Sequence, residues 1–236
     1  MGLQRILGVF AHPDDETSGC AGTFMRYAGE GAHITVVTAT RGEKGALGTG
    51  GLTIAREDLP KVREQEQRTV ARLLGVADII YLGHIDGEVK HVPLARLTAR
   101  LRGIMEQEQP QVVITFGPLG ISKHPDHIAV SQAATAAFQR YQRQAKDGVA
   151  LCYVAIPKRF VEQVKLDLHG VETQPTTMID ISLYKARKVQ ALRMYRSQQD
   201  AQDLAEMFEK MPEASYECFY QAHPPVVDGV VKSGFW

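Results

Sequence analysis

A histidine and three carboxylates lie within five consecutive positions near the start of the chain, from His12 to Glu16. They follow directly on an apolar run, residues 6–10, which predicts a strand that ends where the charges begin. Two adjacent carboxylates raise each other's pKa unless a cation or hydrogen-bond donors lie between them. A divalent metal ion is the simplest cation that suits both carboxylate and imidazole ligands.

A second motif, Lys-His-Pro-Asp-His at residues 123–127, repeats the His-Pro-Asp sequence much further along the chain. Either motif alone could equally form a turn, with proline fixing the backbone and aspartate bonding to it. Because both follow predicted strands, we predict that His12, Asp15 and His127 hold a divalent metal with an open coordination position. Asp14 is then left unligated beside the metal.

The rest of the chain alternates apolar strands with amphipathic helices. Strands are predicted over residues 6–10, 32–40, 78–82 and 112–116, and helices over residues 18–29, 61–74, 93–107 and 126–141. Residues 149–156 and 160–166 are extended or short helical pieces, 178–181 a short strand, 183–196 a helix, and the tail from 212 irregular. Strand–helix–strand order favours parallel pairing. We therefore predict an α/β fold, a three-layer sandwich with a mainly parallel, Rossmann-like sheet.

Residues able to do chemistry follow several of the predicted strands. They are His12, Arg41, His84, Asp86, His124 and His127. The carboxyl ends of parallel strands meet at one edge of a sheet, where ligands bind, so we expect one site there. The glycine-rich residues 41–60 are predicted to form a lid or substrate-binding loop beside the metal.

The composition excludes several classes of function. The chain of 236 residues predicts a single domain, residues 1–236, and its zero net charge argues against nucleic-acid or anionic-membrane partners. Its apolar runs fall well short of the roughly 20 residues of a membrane span. The three cysteines, Cys20, Cys152 and Cys218, form no Cys-x-x-Cys pair, which predicts neither a disulfide framework nor a thiolate zinc site. A reducing, cytoplasmic location is expected.

The sequence Ala-His-Pro-Asp-Asp-Glu after the first strand, with His-Pro-Asp-His downstream, resembles the LmbE/PIG-L family of zinc-dependent N-deacetylases. Similar family features are Thr40-Arg41-Gly42-Glu43, Arg63-Glu64, Leu82-Gly83 with Asp86-Gly87, and Ser197-Gln198. The resemblance implies a Zn²⁺ cofactor, a small-molecule amino-sugar substrate and a homo-oligomer, a trimer or hexamer. One departure is Tyr195, since relatives commonly carry a histidine close to that serine.

The resemblance also implies roles for the residues around the metal. Zinc with three protein ligands lowers the pKa of a bound water to about 7, and Asp14 would be the general base that takes its proton. His124 would stabilise the oxyanion, although spacing alone leaves it open as a third ligand. Asp126 would fix an imidazole by hydrogen bonding.

Arg41 and Asp86 are predicted to bind polar groups of the substrate. The alternatives are a salt-bridge role for Arg41 and a turn-forming role for Asp86, which precedes a glycine. Glu16 is expected to cap the following helix or bond a loop rather than ligate metal. His33, inside a predicted strand, is expected to be structural.

The predicted function is removal of an acetyl group from an N-acetylglucosamine conjugate, such as a glucosaminyl-malate precursor in thiol biosynthesis or a chitooligosaccharide. A hydratase of an unsaturated dicarboxylic acid remains an alternative, because activated water can also add to an alkene. Two histidines and one aspartate also suit a non-haem iron oxygenase, but its usual framework is all-β. A catalytically inactive metal-binding module would not need Asp14.

Overall fold

The computed structural model describes residues 3–145, 148–212, 215–227 and 229–236. Within them, seven strands form one sheet. The strands are β1 (Arg5–Phe10), β2 (His33–Thr38), β3 (Asp78–Tyr81), β4 (Val112–Thr115), β5 (Ala150–Ala155), β6 (Thr177–Asp180) and β7 (Tyr216–His223). The helices are α1 (Asp15–Gly29), α2 (Leu59–Leu74), α3 (Leu94–Glu108), α4 (Gly120–Lys123), α5 (Pro125–Tyr141), α6 (Lys158–Val164), α7 (Lys185–Arg193) and α8 (Gln199–Lys210). Short 3-10 turns lie at Val89–His91, Gly170–Thr173 and Ser182–Tyr184.

The sheet has the strand order β3-β2-β1-β4-β5-β7-β6. Strands β1 to β5 pair in parallel, whereas β7 pairs antiparallel with both β5 and β6. Ile6 of the central strand β1 pairs with Ile34 of β2 and Val112 of β4. Strands buried on both faces read as continuous apolar runs, which explains why these strands were recognisable in the sequence.

Helices cover both faces of the sheet. Helices α3 and α5 pack against each other in one layer, and α1 packs with α2 and α7 in the other, with α8 against α7. The prediction of a three-layer α/β sandwich with a mainly parallel, Rossmann-like sheet is confirmed. Among the described residues, none of the helices combines the length and apolar character that a membrane span needs.

The chain reverses its direction across the sheet between β1 and β4, which are neighbours although two strands separate them in sequence. In open α/β sheets, ligands bind at such a switch point, outside the carboxyl ends of the strands. His12 follows β1, and His124 with His127 follows β4. The topology therefore brings the two histidine motifs to the same crevice.

The C-terminal part of the chain differs from the sequence expectation. The tail predicted to be irregular contains β7, which pairs along its length between β5 and β6. Helix α8 was not predicted, and the predicted helix at 183–196 is a 3-10 turn followed by the shorter α7. Long-range pairing creates β7, because an isolated segment with this mixture of polar and aromatic residues has no strong local preference.

Candidate active site

The first motif forms a tight turn between β1 and α1. Asp14 has a left-handed backbone, with φ of 98°, which is uncommon for a residue other than glycine. Helix α1 starts at Asp15, whose Oδ2 accepts the backbone N–H groups of Ala11 at 3.2 Å and His12 at 2.7 Å. The turn therefore fixes the Asp15 carboxylate beside the His12 ring. Backbone strain of this kind is concentrated at functional sites.

Three side-chain donors of the two motifs converge. His12 Nδ1 lies 3.1 Å from His127 Nε2. Asp15 Oδ2 is 3.7 Å from His12 Nδ1, and Asp15 Oδ1 is 3.4 Å from His127 Nε2. Ligands about 2.1 Å from a tetrahedral zinc ion lie about 3.4 Å from one another. The two imidazole nitrogens are separated by close to this distance, and each lies close to this distance from a different oxygen of Asp15.

The far nitrogens of both imidazoles have partners that leave the converging nitrogens free. His127 Nδ1 lies 3.0 Å from the carbonyl oxygen of Gly120, so it carries the proton in a neutral ring. His12 Nε2 lies 3.0 Å from Asp86 Oδ1 and 3.4 Å from Asp126 Oδ2. A carboxylate or carbonyl on the outer nitrogen is the usual arrangement of metal-ligating histidines.

Other combinations of ligands are also close enough to bind a metal. Potential ligand atoms of His12, His124 and His127 lie within 4.8 Å of one another, and so do those of His12, Asp86 and Asp126. Both sets contain His12. In the second set, the two carboxylates lie on the Nε2 side of that ring, opposite to the nitrogen that faces His127.

The local charges favour a cation at this position. Burial by itself would lower the pKa of His12. Hydrogen bonds with Asp126 and Asp86 outweigh this effect and raise the pKa to about 10. Burial raises the pKa of Asp86, yet the hydrogen bond from His12 brings it down to about 2. The cluster thus stabilises positive charge among its carboxylates, which a divalent metal ion can also supply.

Asp14 points to a different partner. Its Oδ2 accepts a hydrogen bond from Arg63 Nη2 at 2.9 Å, and Arg63 is buried, with 3% of its surface exposed. Arg63 also donates to the carbonyl oxygens of Pro13 at 2.6 Å and Gly42 at 3.2 Å. Burial raises the pKa of Asp14 to about 7, although the Arg63 charge opposes the rise. Such a carboxyl can exchange a proton near neutral pH.

The loop before α5, which includes the short α4, is held in an unusual backbone conformation. Gly120, Ile121 and Lys123 all have positive φ, of 63°, 61° and 59°. The buried carboxylate of Glu172 accepts the backbone N–H groups of Leu119 at 2.7 Å and Ile121 at 2.9 Å. Glu172 was not singled out in the sequence, because nothing near it in the chain indicates that it anchors this distant loop.

His124 lies at the N-terminus of α5, where its Nδ1 accepts the backbone N–H of Asp126 at 3.2 Å. In the neutral ring the proton is therefore on Nε2. Burial lowers the pKa of His124, and the neighbouring His12 and His127 lower it further. His124 is thus set up as a neutral hydrogen-bond donor.

Asp126 lies behind the cavity, fully buried. Its Oδ2 accepts the backbone N–H of Gly87 at 2.6 Å and lies 3.4 Å from His12 Nε2. It therefore positions the His12 imidazole rather than contacting the cavity. The sequence predicted that Asp126 would bond to an imidazole without specifying which one. In the structure this imidazole is that of His12.

A cavity of about 780 Å³ opens beside these donors. Polar residues that line it include His12, Asp14, Asp15, Lys44, Arg63, Asp86, His124 and His127. Lys44 and Gly45 of the glycine-rich loop form part of the wall. The structure thus gathers the predicted metal ligands, Asp14, Asp86 and His124 around one space.

Arg41 lies elsewhere. Its side chain is half exposed, pairs with Glu64 at 3.0 Å and lies over the Tyr81 ring at 5.9 Å, and Arg41 is not among the residues that line the cavity. Its position matches the salt-bridge alternative and does not support substrate binding. The reason is local, because a carboxylate of α2 and an aromatic ring of β3 offer the guanidinium partners outside the cavity.

Asp86 does line the cavity, but both carboxylate oxygens already have partners. Oδ1 contacts His12 Nε2 at 3.0 Å, and Oδ2 accepts the backbone N–H of Lys44 at 3.0 Å. These contacts give Asp86 a role in positioning His12 and the glycine-rich loop. His84, which follows the same strand, is not among the residues that line the cavity.

Helix α2 supplies polar residues whose burial and contacts the sequence did not predict, although Arg63 was among the family features. The polar residues of an amphipathic helix usually face solvent, yet Arg63 and Gln67 are 3% and 1% exposed. They share the buried face of α2 with Val70 and Leu74. The spacing i, i+4, i+7 and i+11 was a usable signal, because polar residues on an apolar stripe must have buried partners.

Glu16 is one of those partners. Its carboxylate accepts hydrogen bonds from Tyr195 at 2.5 Å, Thr17 at 2.7 Å and Gln67 at 2.9 Å. Glu16 therefore links α1 to α2 and to the segment after α7, rather than capping a helix. Tyr195 is fully buried and not among the cavity-lining residues. His33 pairs with Asp78 at the neighbouring strand, at 3.4 Å.

The structure thus defines an α/β protein with a mainly parallel sheet and a cluster of histidines and aspartates at its switch point. The family model PIG-L, described as GlcNAc-PI de-N-acetylase, matches residues 7–138. The chain belongs to this PIG-L (LmbE-like) family of deacetylases.

The relatives agree with this assignment. A 1D-myo-inositol 2-acetamido-2-deoxy-alpha-D-glucopyranoside deacetylase of Saccharomonospora viridis is 31% identical, over 82% of this chain and 84% of the relative. N,N'-diacetylchitobiose deacetylase from Pyrococcus horikoshii has a TM-score of 0.71 at 24% identity, over 92% of this chain and 83% of the other. The 4-carboxy-2-hydroxymuconate hydratase GalB of Pseudomonas putida also has a TM-score of 0.71. Its identity is 17%, over 97% of this chain and 100% of the other. The two structures establish the shared fold alone.

Proposed function

We propose that this protein is a zinc-dependent N-deacetylase that removes the acetyl group from an N-acetylglucosamine-containing conjugate. The observation that carries the proposal is the spacing of three donors, His12 Nδ1, His127 Nε2 and the Asp15 carboxylate, at 3.1 to 3.7 Å from one another. Membership of the deacetylase family supports the substrate class. The proposed ligands are therefore His12, Asp15 and His127.

When bound, zinc supplies a Lewis acid that polarises the acyl oxygen and makes a water acidic enough to ionise near neutral pH. The protein's part is to hold both imidazoles in a fixed orientation through their outer nitrogens. The Gly120 carbonyl does this for His127, and the carboxylates of Asp86 and Asp126 do it for His12.

Asp14 is the proposed general base. It lines the cavity next to Asp15, and its carboxylate is bonded to Arg63 and not to the donor set. A carboxyl with a pKa raised to about 7 can take a proton from the attacking water and return it to the departing amine. Arg63 orients the carboxylate through these steps.

His124 is proposed to stabilise the oxyanion that forms when water attacks the acyl carbon. Its Nδ1 is occupied by the backbone N–H of Asp126, so Nε2–H is the group left to donate. A preorganised donor of this kind is worth roughly a hundredfold or more in rate. We therefore expect His124→Gln to lower kcat strongly while the metal content stays that of the wild type.

The experiment is a measurement of primary-amine release by metal-analysed protein, with and without a chelator. The substrates are N-acetylglucosamine conjugates with inositol, with malate and with a second N-acetylglucosamine. We expect release from at least one conjugate, its loss on chelation and its recovery on addition of Zn²⁺. The absence of release from every conjugate by fully zinc-loaded protein would contradict the proposal.

A further inference from the structure

We infer that the substrate carries an apolar substituent on its sugar, which binds in an apolar chamber continuous with the metal end of the cavity. This inference rests on the proposed function. The apolar chamber is lined by Val154, Met178, Leu192, Leu204, Met207 and Phe208. The cavity of about 780 Å³ that begins at His12 and Asp14 includes all six. A molecule bound at the donor set can therefore extend into the chamber within one cavity.

Helix α8 forms one wall of the apolar chamber. Leu204, Met207 and Phe208 are spaced i, i+3 and i+4, so they lie on one face of the helix. All three are half-buried although they are large and apolar. Val154 of β5 and Met178 of β6 line the same cavity and are also half-buried. The apolar side chains that these elements present to the cavity therefore favour an apolar ligand over water.

The charged groups buried in the wall are already paired. Lys188 Nζ donates to Glu217 Oε1 at 2.6 Å and to the Ser18 carbonyl oxygen at 2.7 Å, and it lies 4.4 Å from the Phe208 ring centre. The Glu217 carboxylate also accepts the backbone N–H groups of Gly22 and Thr23. These charges are not available to a polar substituent.

Two further charged residues line this part of the cavity, Arg159 and Asp200, and both are exposed. Their solvated charges can contact the polar end of a ligand but do not make the chamber itself polar. The chemistry of the walls therefore selects an alkyl or aryl group.

The extent of the cavity, about 780 Å³, assigns the apolar chamber to the sugar side of the substrate. The proposed reaction removes a two-carbon acetyl group, which fits beside the donor set and needs no extended apolar space. The reaction does not limit the size of the aglycone, the group attached to the sugar. We therefore place an alkyl or aryl aglycone in the apolar chamber.

The test uses zinc-loaded wild-type protein and β-glycosides of N-acetylglucosamine with methyl, butyl and octyl aglycones, below their micelle concentrations. Each buried methylene raises affinity by up to about fourfold, so kcat/KM is expected to rise at least about tenfold from methyl to octyl. The kcat/KM of the inositol conjugate is expected to be closer to that of the methyl glycoside than to that of the octyl glycoside. Equal rates for methyl and octyl glycosides would overturn the inference. A preference for an N-octanoyl group on the methyl glycoside would also overturn it, because the chamber would then serve the acyl side.

Variants of α8 test the chamber itself. Leu204→Asn is expected to lower the octyl-to-methyl ratio of kcat/KM at least about fivefold, because it places an amide in the apolar wall. Met207→Gln is a second variant with the same expectation, for use if the first unfolds. The matched control is Asp203→Asn on the exposed face of α8, which should keep the wild-type ratio. An unchanged ratio in both folded chamber variants would contradict the assignment.

A binding measurement separates this inference from the proposed function. Octyl β-glucoside has no acetamido group, and calorimetry should detect it binding more tightly than methyl β-glucoside, with a negative heat-capacity change. If octyl β-glucoside binds more tightly but no conjugate is cleaved, the apolar chamber is supported and the proposed deacetylase function is contradicted. If the conjugates are cleaved at rates that do not depend on aglycone length, the deacetylase function is supported and the assignment of the chamber is contradicted.

Discussion

Arg63 Nη2 donates to the Asp14 carboxylate at 2.9 Å and to the neighbouring Pro13 carbonyl oxygen at 2.6 Å. A single buried guanidinium therefore fixes both the backbone of the turn that carries the proposed metal ligands and the side chain of the proposed general base. The turn itself is strained, with φ of 98° at Asp14. Helix α2, which carries Arg63, thus positions the reactive group without supplying a proposed metal ligand.

We expect Arg63→Lys to lower kcat about ten- to a hundredfold, because a misplaced general base costs that much in rate. A lysine ammonium keeps the charge but cannot reproduce the planar fork that bridges Asp14, Pro13 and Gly42. Steady-state kinetics at saturating substrate, with the metal content measured in parallel, tests this. The control is Arg68→Lys, at an exposed position on the same helix where arginine pairs with Glu64. Equal kinetics for Arg63→Lys and the wild type would contradict the positioning role.

Gly120→Ala should weaken metal binding. A Cβ at Gly120 would lie 2.7 Å from the Cβ of His127, and the backbone there has φ of +63°. The added methyl group must displace His127 or the loop, so we expect a lower metal affinity and a lower unfolding temperature. Metal competition with a chromophoric chelator measures the first effect, and thermal unfolding the second.

The control for Gly120→Ala is Gly103→Ala, in the middle of the exposed face of α3. A Cβ there meets no described atom within 4 Å, and its φ is not positive. Alanine favours a helix over glycine by about 1 kcal/mol, so this variant should be more stable than the wild type. Stabilisation by both substitutions would show that the Gly120 conformation does not hold His127.

The cysteines should be unreactive in the folded protein. Burial raises the pKa of Cys218, which lines the cavity, to about 11 and that of Cys152 to about 12, and it raises the pKa of Cys20 as well. A thiol with a pKa of about 11 is ionised in about one molecule per thousand at pH 8, against about a quarter for an ordinary thiol.

Alkylation by iodoacetamide, followed by mass spectrometry, should therefore be slow at pH 8 and should accelerate as the pH rises toward 11. Protein unfolded in guanidinium chloride serves as the control and should be alkylated fully. Rapid modification of native Cys218 at pH 8 would contradict the raised pKa and would reopen a role for a thiolate in the cavity.

Tyr195→Phe should lower stability more than activity. The phenol donates to the buried Glu16 carboxylate at 2.5 Å, and Tyr195 does not line the cavity. Removing one partner of a buried carboxylate costs about 1–3 kcal/mol. Denaturant unfolding measures this loss, and kcat/KM should stay within about threefold of the wild type. Tyr220→Phe, at a half-buried position in β7, is the control. A large loss of activity without a loss of stability would place Tyr195 in the reaction.

The sequence predicted the parts of this molecule that local patterns determine. Continuous apolar runs identified the central strands, and the two His-Pro-Asp motifs after β1 and β4 identified the residues that converge at His12 and His127. The parallel topology then placed these motifs at one edge. The fold class and the location of the site therefore followed from local signals and one rule of sheet topology.

The remaining features depend on contacts between distant segments. Arg63 resembles any charged residue of an amphipathic helix until Asp14 is known to lie against it. Glu172 anchors a loop that precedes it by about fifty residues, and no local pattern encodes that contact. Arg41 follows a strand as a substrate-binding residue would, yet Glu64 and Tyr81 hold it outside the cavity.

The central claim is that Asp15 binds the metal whereas the adjacent Asp14 transfers a proton. The most direct test is to measure zinc content and amine release together for Asp14→Asn and Asp15→Asn. We expect Asp14→Asn to keep the wild-type zinc content and to lose roughly a hundredfold or more in kcat, and Asp15→Asn to lose the zinc itself. Loss of zinc from Asp14→Asn, with wild-type zinc content in Asp15→Asn, would contradict the assignment of both residues.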